Sequence, residues 1–166
     1  MKCMTEYRIT KYNPANRMDR TYAADEWTSF SDVGKIFGGA ELSPDVYLKT
    51  EQAYIDCCIE LIDTAQISSL NIEQAEYYAE NIHFPSIVSH PKAIRQVITA
   101  CLREQCWLKI TSEDFFIHFG YDYYMYIGSV RPVNVLQKLL QSMVYIASST
   151  PVRTGNDNIQ ISEKSF

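Results

Sequence analysis

The stretch Cys106–Ser129 reads CWLKITSEDFFIHFGYDYYMYIGS. Three short runs rich in β-branched and aromatic residues are separated by Ser112-Glu113-Asp114 and by Gly120-Tyr121-Asp122. Such runs, bounded by turn formers, read as an antiparallel meander with strands at 106–111, 115–119 and 123–129. Parity decides the second turn. A loop of odd length pairs Phe119 with Tyr123, Ile117 with Met125 and Phe115 with Ile127, and puts all six on one buried face. A two-residue loop would turn Asp122 onto that face and bury an unpaired carboxylate. The odd loop is expected, with Phe116, His118, Tyr124 and Tyr126 on the opposite face.

Working outward, Thr5–Tyr12 alternates as a short strand and is broken by Asn13-Pro14. Residues 13–26 read as a long loop, and Trp27–Phe30 as a second strand. Turns are expected at Ser31–Gly34 and at Gly38-Gly39. Ser43-Pro44 pairs a hydroxyl cap with a proline at the first helical position. A helix should follow to about Ala65, with Tyr47, Leu48, Tyr54, Ile55, Cys58, Leu61, Ile62 and Ala65 on its apolar stripe. Residues 67–73 read as a short strand, while 74–82 show no decisive period, a short helix being one reading. A second helix is expected from Pro91 to about Gln105, and a third from Pro132, with Leu136, Leu139, Leu140, Met143 and Ala147 on its seam. The expected fold is α+β, an antiparallel sheet packed by about three helices. Residues 1–150 form one domain, and 151–166 form a flexible tail.

Composition narrows the function classes. With 46% hydrophobic and 21% charged residues among 166, the chain can bury a sizeable core. No run approaches the roughly 18 apolar residues of a membrane span, and the first residues carry no apolar signal core. A cytoplasmic location follows as the expectation. The net charge of −5 is unevenly spread. Residues 41–90 carry nine acidic and one basic side chain. That argues against direct nucleic-acid binding, which needs clustered cations, and fits a partner with a basic surface. On the first helix, Asp45, Asp56, Glu60 and Asp63 share one exposed face. The plain alternative is a solvated helix face. Glu51 breaks the apolar stripe: it stands at a rim position, or as a buried carboxylate it needs an ion pair with Arg8 or a hydrogen bond to a tyrosine or tryptophan.

No catalytic motif stands out. There is no Gly-x-Ser-x-Gly elbow and no phosphate loop. His83, His90 and His118 lack metal-ligand spacing. The five cysteines form neither a zinc knuckle nor a redox motif and read as buried, reduced thiols. No enzyme activity, metal or cofactor is expected. Aromatic excess is more informative: twelve tyrosines and two tryptophans, with Tyr121, Tyr123, Tyr124 and Tyr126 crowding one hairpin. Tyrosine combines rigid contact area with a polar tip and is favoured in binding surfaces. Trp27, Tyr124 and Tyr126 are the expected partner anchors.

Glu6-Tyr7-Arg8-Ile9-Thr10-Lys11-Tyr12-Asn13-Pro14 and Glu26–Gly34 resemble the opening of small bacterial proteins of toxin-immunity loci. The hairpin Phe115–Gly128 resembles strands in such proteins. The resemblance implies a non-catalytic cytoplasmic antidote that binds one cognate toxin domain, often a basic nuclease, and neutralises it by occlusion. An alternative is a small-molecule or peptide-binding module using the aromatic sheet face. A third reading is an enzyme with a non-local site around Glu51 or His118.

Overall fold

The computed structural model describes residues 3–19 and 21–131, together with the backbones of strands 145–148 and 152–153. The fold is α+β. One antiparallel sheet is built from β1 (Cys3–Thr10), β6 (Leu70–Tyr77), β7 (Ile87–Val88), β8 (Cys106–Ser112), β9 (Phe115–Phe119), β10 (Met125–Ser129) and β11 (Tyr145–Ser148). Its order is β11-β1-β10-β9-β8-β6-β7. β12 (Val152–Arg153) pairs with Cys3 and Met4 at the start of β1. Two small hairpins lie apart from it: β2 (Arg17–Met18) with β3 (Thr21–Tyr22), and β4 (Ile36–Phe37) with β5 (Ala40–Glu41). In the second, Gly38 and Gly39 both have positive φ, 56° and 83°, as a tight two-residue turn requires.

Helices α1 (Pro44–Thr64) and α2 (Pro91–Leu102) cover one face. Ser43 accepts from the Val46 amide at 3.3 Å and His90 Nδ1 from the Lys92 amide at 3.2 Å, each with proline next in line. Both helices stop on a left-handed residue, Gln66 and Glu104, each at φ 57°. Amides beyond the stop then return to the last turn, Ile67 to Ile62 and Gln105 to Ala100. Between the helices and the sheet lie Tyr54, Leu61, Ile98, Leu108, Ile110, Phe115, Ile117, Met125 and Ile127, all nearly inaccessible. No helix of the described residues is long and apolar enough to cross a membrane.

The meander has the expected parity but not the expected register. Phe119 faces Met125 and Ile117 faces Ile127, two residues further along than the shortest odd loop gives. The loop Gly120–Tyr124 is also odd. Phe115, Ile117, Phe119, Tyr123, Met125 and Ile127 are therefore all buried, and Phe116, His118, Tyr124 and Tyr126 face the other way. The ladder gives up Tyr123 because its ring turns under the sheet into the core.

Other expectations change. β6 runs through 74–77, where a short helix was one reading, and it tolerates this by a register shift between Glu73 and Glu76, with Gln74 at φ 50°. Residues 132–144, where a third helix was expected, lie outside the described residues. Ala147 is in β11, opposite Arg8 of β1, so a helix from Pro132 does not extend to it. The tail boundary at 151 also moves, since Val152 and Arg153 belong to the sheet. Residues 154–166 lie outside the described residues.

Trp27–Phe30 forms no strand, because a carboxylate competes for its amides. Asp32 Oδ2 accepts from the Thr28 and Ser29 amides at 2.9 and 3.1 Å, and Oδ1 accepts from Lys35 Nζ at 2.8 Å. The chain curls into a 3-10 turn at Phe30–Asp32. Burial works against the Asp32 carboxylate, but Lys35 and the two amides outweigh it and hold its pKa down at about 2. An unfolded aspartate titrates near ~3.9. The stabilisation from Asp32 is therefore full above that pH and disappears as pH falls towards about 2. Asp32→Asn is expected to lower the urea midpoint at neutral pH, with the gap to wild type closing over that acid window. A gap independent of pH would refute this role.

Candidate functional site

The loop Gly120–Tyr124 is an unusual piece of backbone. Asp122 and Tyr123 are consecutive left-handed residues, at φ 55° and 64°. Two buried tyrosines from elsewhere hold them. Tyr12, just past β1, donates its hydroxyl to the Asp122 carbonyl at 2.7 Å. Tyr54, mid-way along α1, donates to the Tyr123 carbonyl at 2.8 Å. The Tyr123 ring lies 4.8 Å from Tyr54 and 5.0 Å from Trp27, and its hydroxyl donates to Tyr47 Oη at 3.1 Å. Burial pushes the phenols of Tyr12, Tyr54 and Tyr123 above their ordinary range, so they stay neutral hydrogen-bond partners.

Lys11 sits against the same cluster. Its ammonium lies 4.0 Å from the Tyr12 ring centre, 4.2 Å from that of Trp27, and 3.2 Å from Glu26 Oε2. Desolvation lowers the Lys11 pKa, and Glu26 opposes that effect. Trp27 is thus a core residue, 8% exposed, and not the surface anchor expected from sequence. Its apolar ring is better satisfied between Tyr47, Tyr123 and a buried ammonium than in water.

Beside the loop lies a cleft of about 370 Å³. Thr28 and Ser29 form one part of its wall, Cys101, Leu102, Glu104 and Cys106 another, and Trp107, Phe119 and Gly120–Tyr124 a third. Tyr121 is 92% exposed and Tyr78 63% exposed at its edge. The lining supplies aromatic faces, the carboxylates of Glu104 and Asp122, and no histidine. It can hold an apolar or cationic group.

The remaining expected site residues are dispersed. Tyr124 is half-buried in the cleft wall, and its hydroxyl accepts from Arg17 at 2.7 Å. Arg8 lies 5.5 Å from its ring centre. Tyr126 is half-buried on the sheet face away from the helices, with His118 6.3 Å away. His118 packs edge-on to Trp107, and neither ring nitrogen finds a hydrogen-bond partner among the described residues. Trp27, Tyr124 and Tyr126 therefore do not form one patch.

The carboxylates of α1 fall into two classes. Glu51 is buried and takes a two-pronged contact from Arg103, at 2.8 and 2.7 Å. Its partner is Arg103 and not Arg8, because the end of α2 lies nearer than β1. This pair ties α1 to the end of α2, and Glu51 is structural. Asp45, Asp56, Glu60 and Asp63 are all exposed. Asp56 accepts from Gln52 at 2.8 Å and from Arg95 at 3.2 Å. No hydrogen bond or ion pair engages the carboxylates of Asp45, Glu60 or Asp63 among the described residues.

Sequence reasoning missed Tyr12, Tyr54 and Lys11 as the supports of the loop. The tyrosine excess was visible, but which hydroxyls meet which carbonyls depends on contacts across 69 and 110 positions of chain. No family model matches the chain, and neither the curated proteins nor the solved structures contain a match to it.

Proposed function

We propose that this chain is a non-catalytic immunity protein of the bacterial toxin-neutralising kind, acting in the cytoplasm by occluding a cognate toxin domain with a basic surface. The observation that carries the reading is the outer face of α1. Asp45 and Asp63 stand 18 residues apart on one helix, about 27 Å at 1.5 Å per residue. That length matches one side of a standard-size protein interface. Glu60 and Asp63 are exposed and, among the described residues, have no internal cation to give up. They can pair with a partner's lysines or arginines at a lower desolvation and reorganisation cost than Asp56, which must first release Arg95. An acidic face of this kind steers a basic partner and fixes its register more than it adds affinity.

The test starts with the tagged chain as bait in a lysate of its host bacterium, eluted along a salt gradient. One stoichiometric partner with a basic domain, released as salt rises, is expected. With that partner in hand, the triple variant Asp45→Lys, Glu60→Lys, Asp63→Lys should slow association by about tenfold or more and flatten its salt dependence. It should also weaken protection from the toxin. Unchanged kinetics and protection would remove this surface from the account.

A second reading is a peptide or small-ligand module, favoured by the cleft beneath Tyr121. The site then lies at the end of the sheet and not on its open face. Binding of a ligand there should quench Trp107 fluorescence and be lost in Tyr121→Ala. A ligand that binds Tyr121→Ala as tightly as wild type excludes this cleft.

A further inference from the structure

Cys101 is in the last turn of α2 and Cys106 is the first residue of β8. Four residues, Leu102 to Gln105, reverse the chain between them through the left-handed Glu104. The turn is held at both ends. The Glu104 amide donates to the Cys101 carbonyl at 3.1 Å, and the Gln105 amide to the Ala100 carbonyl at 2.9 Å. Its geometry aims the two thiols at each other, with Sγ atoms 3.7 Å apart. Both residues are buried from bulk water, yet both line the cleft beside Tyr121. The cleft therefore offers a small oxidant a route to the segments that carry both thiols.

We propose that Cys101 and Cys106 form a reversible oxidation site, closing to an intramolecular disulfide when the protein meets a peroxide. Spacing in the sequence gave no hint of this, since the two are five apart and match no redox motif. A disulfide needs sulfurs about 2.05 Å apart, so the thiols must close by roughly 1.7 Å.

The chemistry balances with one peroxide. The Cys106 thiolate attacks a peroxide oxygen, the O–O bond breaks, and Cys106 becomes a sulfenic acid as hydroxide leaves. That hydroxide takes up the proton Cys106 shed on ionising and becomes water. The Cys101 sulfur then attacks the sulfenic sulfur, the S–O bond breaks, and the oxygen departs as a second water carrying the Cys101 proton. Two thiols are oxidised by two electrons in all, and the peroxide is reduced. The hydrogen bond between the sulfurs favours this division of roles, because it lowers the pKa of Cys106 and raises that of Cys101. The other buried thiols provide an internal control. Burial pushes Cys57 up to about 12, and Cys58 packs its sulfur against Met125 at 3.2 Å. Neither lines the cleft.

The experiment uses the full chain, first reduced and then exposed to stoichiometric hydrogen peroxide under native conditions, with intact mass and tryptic mapping as readouts. Trypsin cuts after Arg95, Arg103 and Lys109, so the bridge would join QVITACLR to EQCWLK. The expected result is loss of two hydrogens, that linked pair of peptides, and reversal by dithiothreitol. In Cys101→Ser the sulfenic acid at Cys106 should persist and be trapped by dimedone. In the wild-type chain, free thiols at both positions after treatment would overturn the proposal. So would a bridge that forms only in denaturant, or oxidation that falls first on Cys57 or Cys58.

Discussion

Two tyrosine hydroxyls donating to two loop carbonyls hold together the end of the sheet on which the cleft depends. A left-handed backbone costs a non-glycine residue roughly 1–2 kcal/mol, and Asp122 and Tyr123 bear it in succession. The hydrogen bonds from Tyr12 and Tyr54 contribute about 1 kcal/mol each. The contacts of the Tyr123 ring with Trp27, Tyr47 and Tyr54 contribute about 0.5–1.5 kcal/mol each beyond area burial. Taken together, the supports offset the strain. The loop therefore keeps its shape because β1, α1 and the 27–32 turn all meet there, and Tyr121 is left standing at the edge of the cleft.

Charge is divided by depth. Glu51 with Arg103 and Glu26 with Lys11 are internal pairs that fix how α1, α2 and the N-terminal segment lie. Losing one member of such a pair strands a charge out of water, which is why their geometry is tight. Among the described residues, Asp45, Glu60 and Asp63 carry no such duty. The same helix thus uses its inner carboxylate for architecture and leaves its outer ones for encounter. The immunity reading rests on that division. The cleft lies in a different part of the molecule and owes nothing to the acidic face.

The sequence made α1, α2 and the parity of the meander legible because these are local. Ser43-Pro44 and His90-Pro91 announce their helices, and a buried Asp122 would have been costly under the wrong parity. The length of the second turn was not legible. The ring of Tyr123 packs better under the sheet than in the ladder, and only the distant Tyr54 and Trp27 make that so. Glu51 was recognisable as a buried carboxylate, but its partner Arg103 could not be read, because the approach of α2 to α1 is a tertiary fact. Trp27 failed as an anchor for the same reason: nothing in its neighbours along the chain reveals Lys11 and Tyr123 against its ring. The thiol pair was hidden by a motif-based reading, since Cys101 and Cys106 meet only through the left-handed turn at Glu104.

Native-state hydrogen exchange on the loop tests this account most directly. The Gly120 amide donates to the Tyr124 carbonyl at 2.8 Å, and the Tyr124 amide to the Tyr121 carbonyl at 3.1 Å. Both bonds close the loop that Tyr12 and Tyr54 hold. In the double variant Tyr12→Phe, Tyr54→Phe, these two amides should exchange about tenfold faster or more, while those of Ile117 and Ile127 in the neighbouring strands keep their protection. Unchanged exchange at Gly120 and Tyr124, or an equal loss across the whole sheet, would contradict the claim that the two hydroxyls hold this loop.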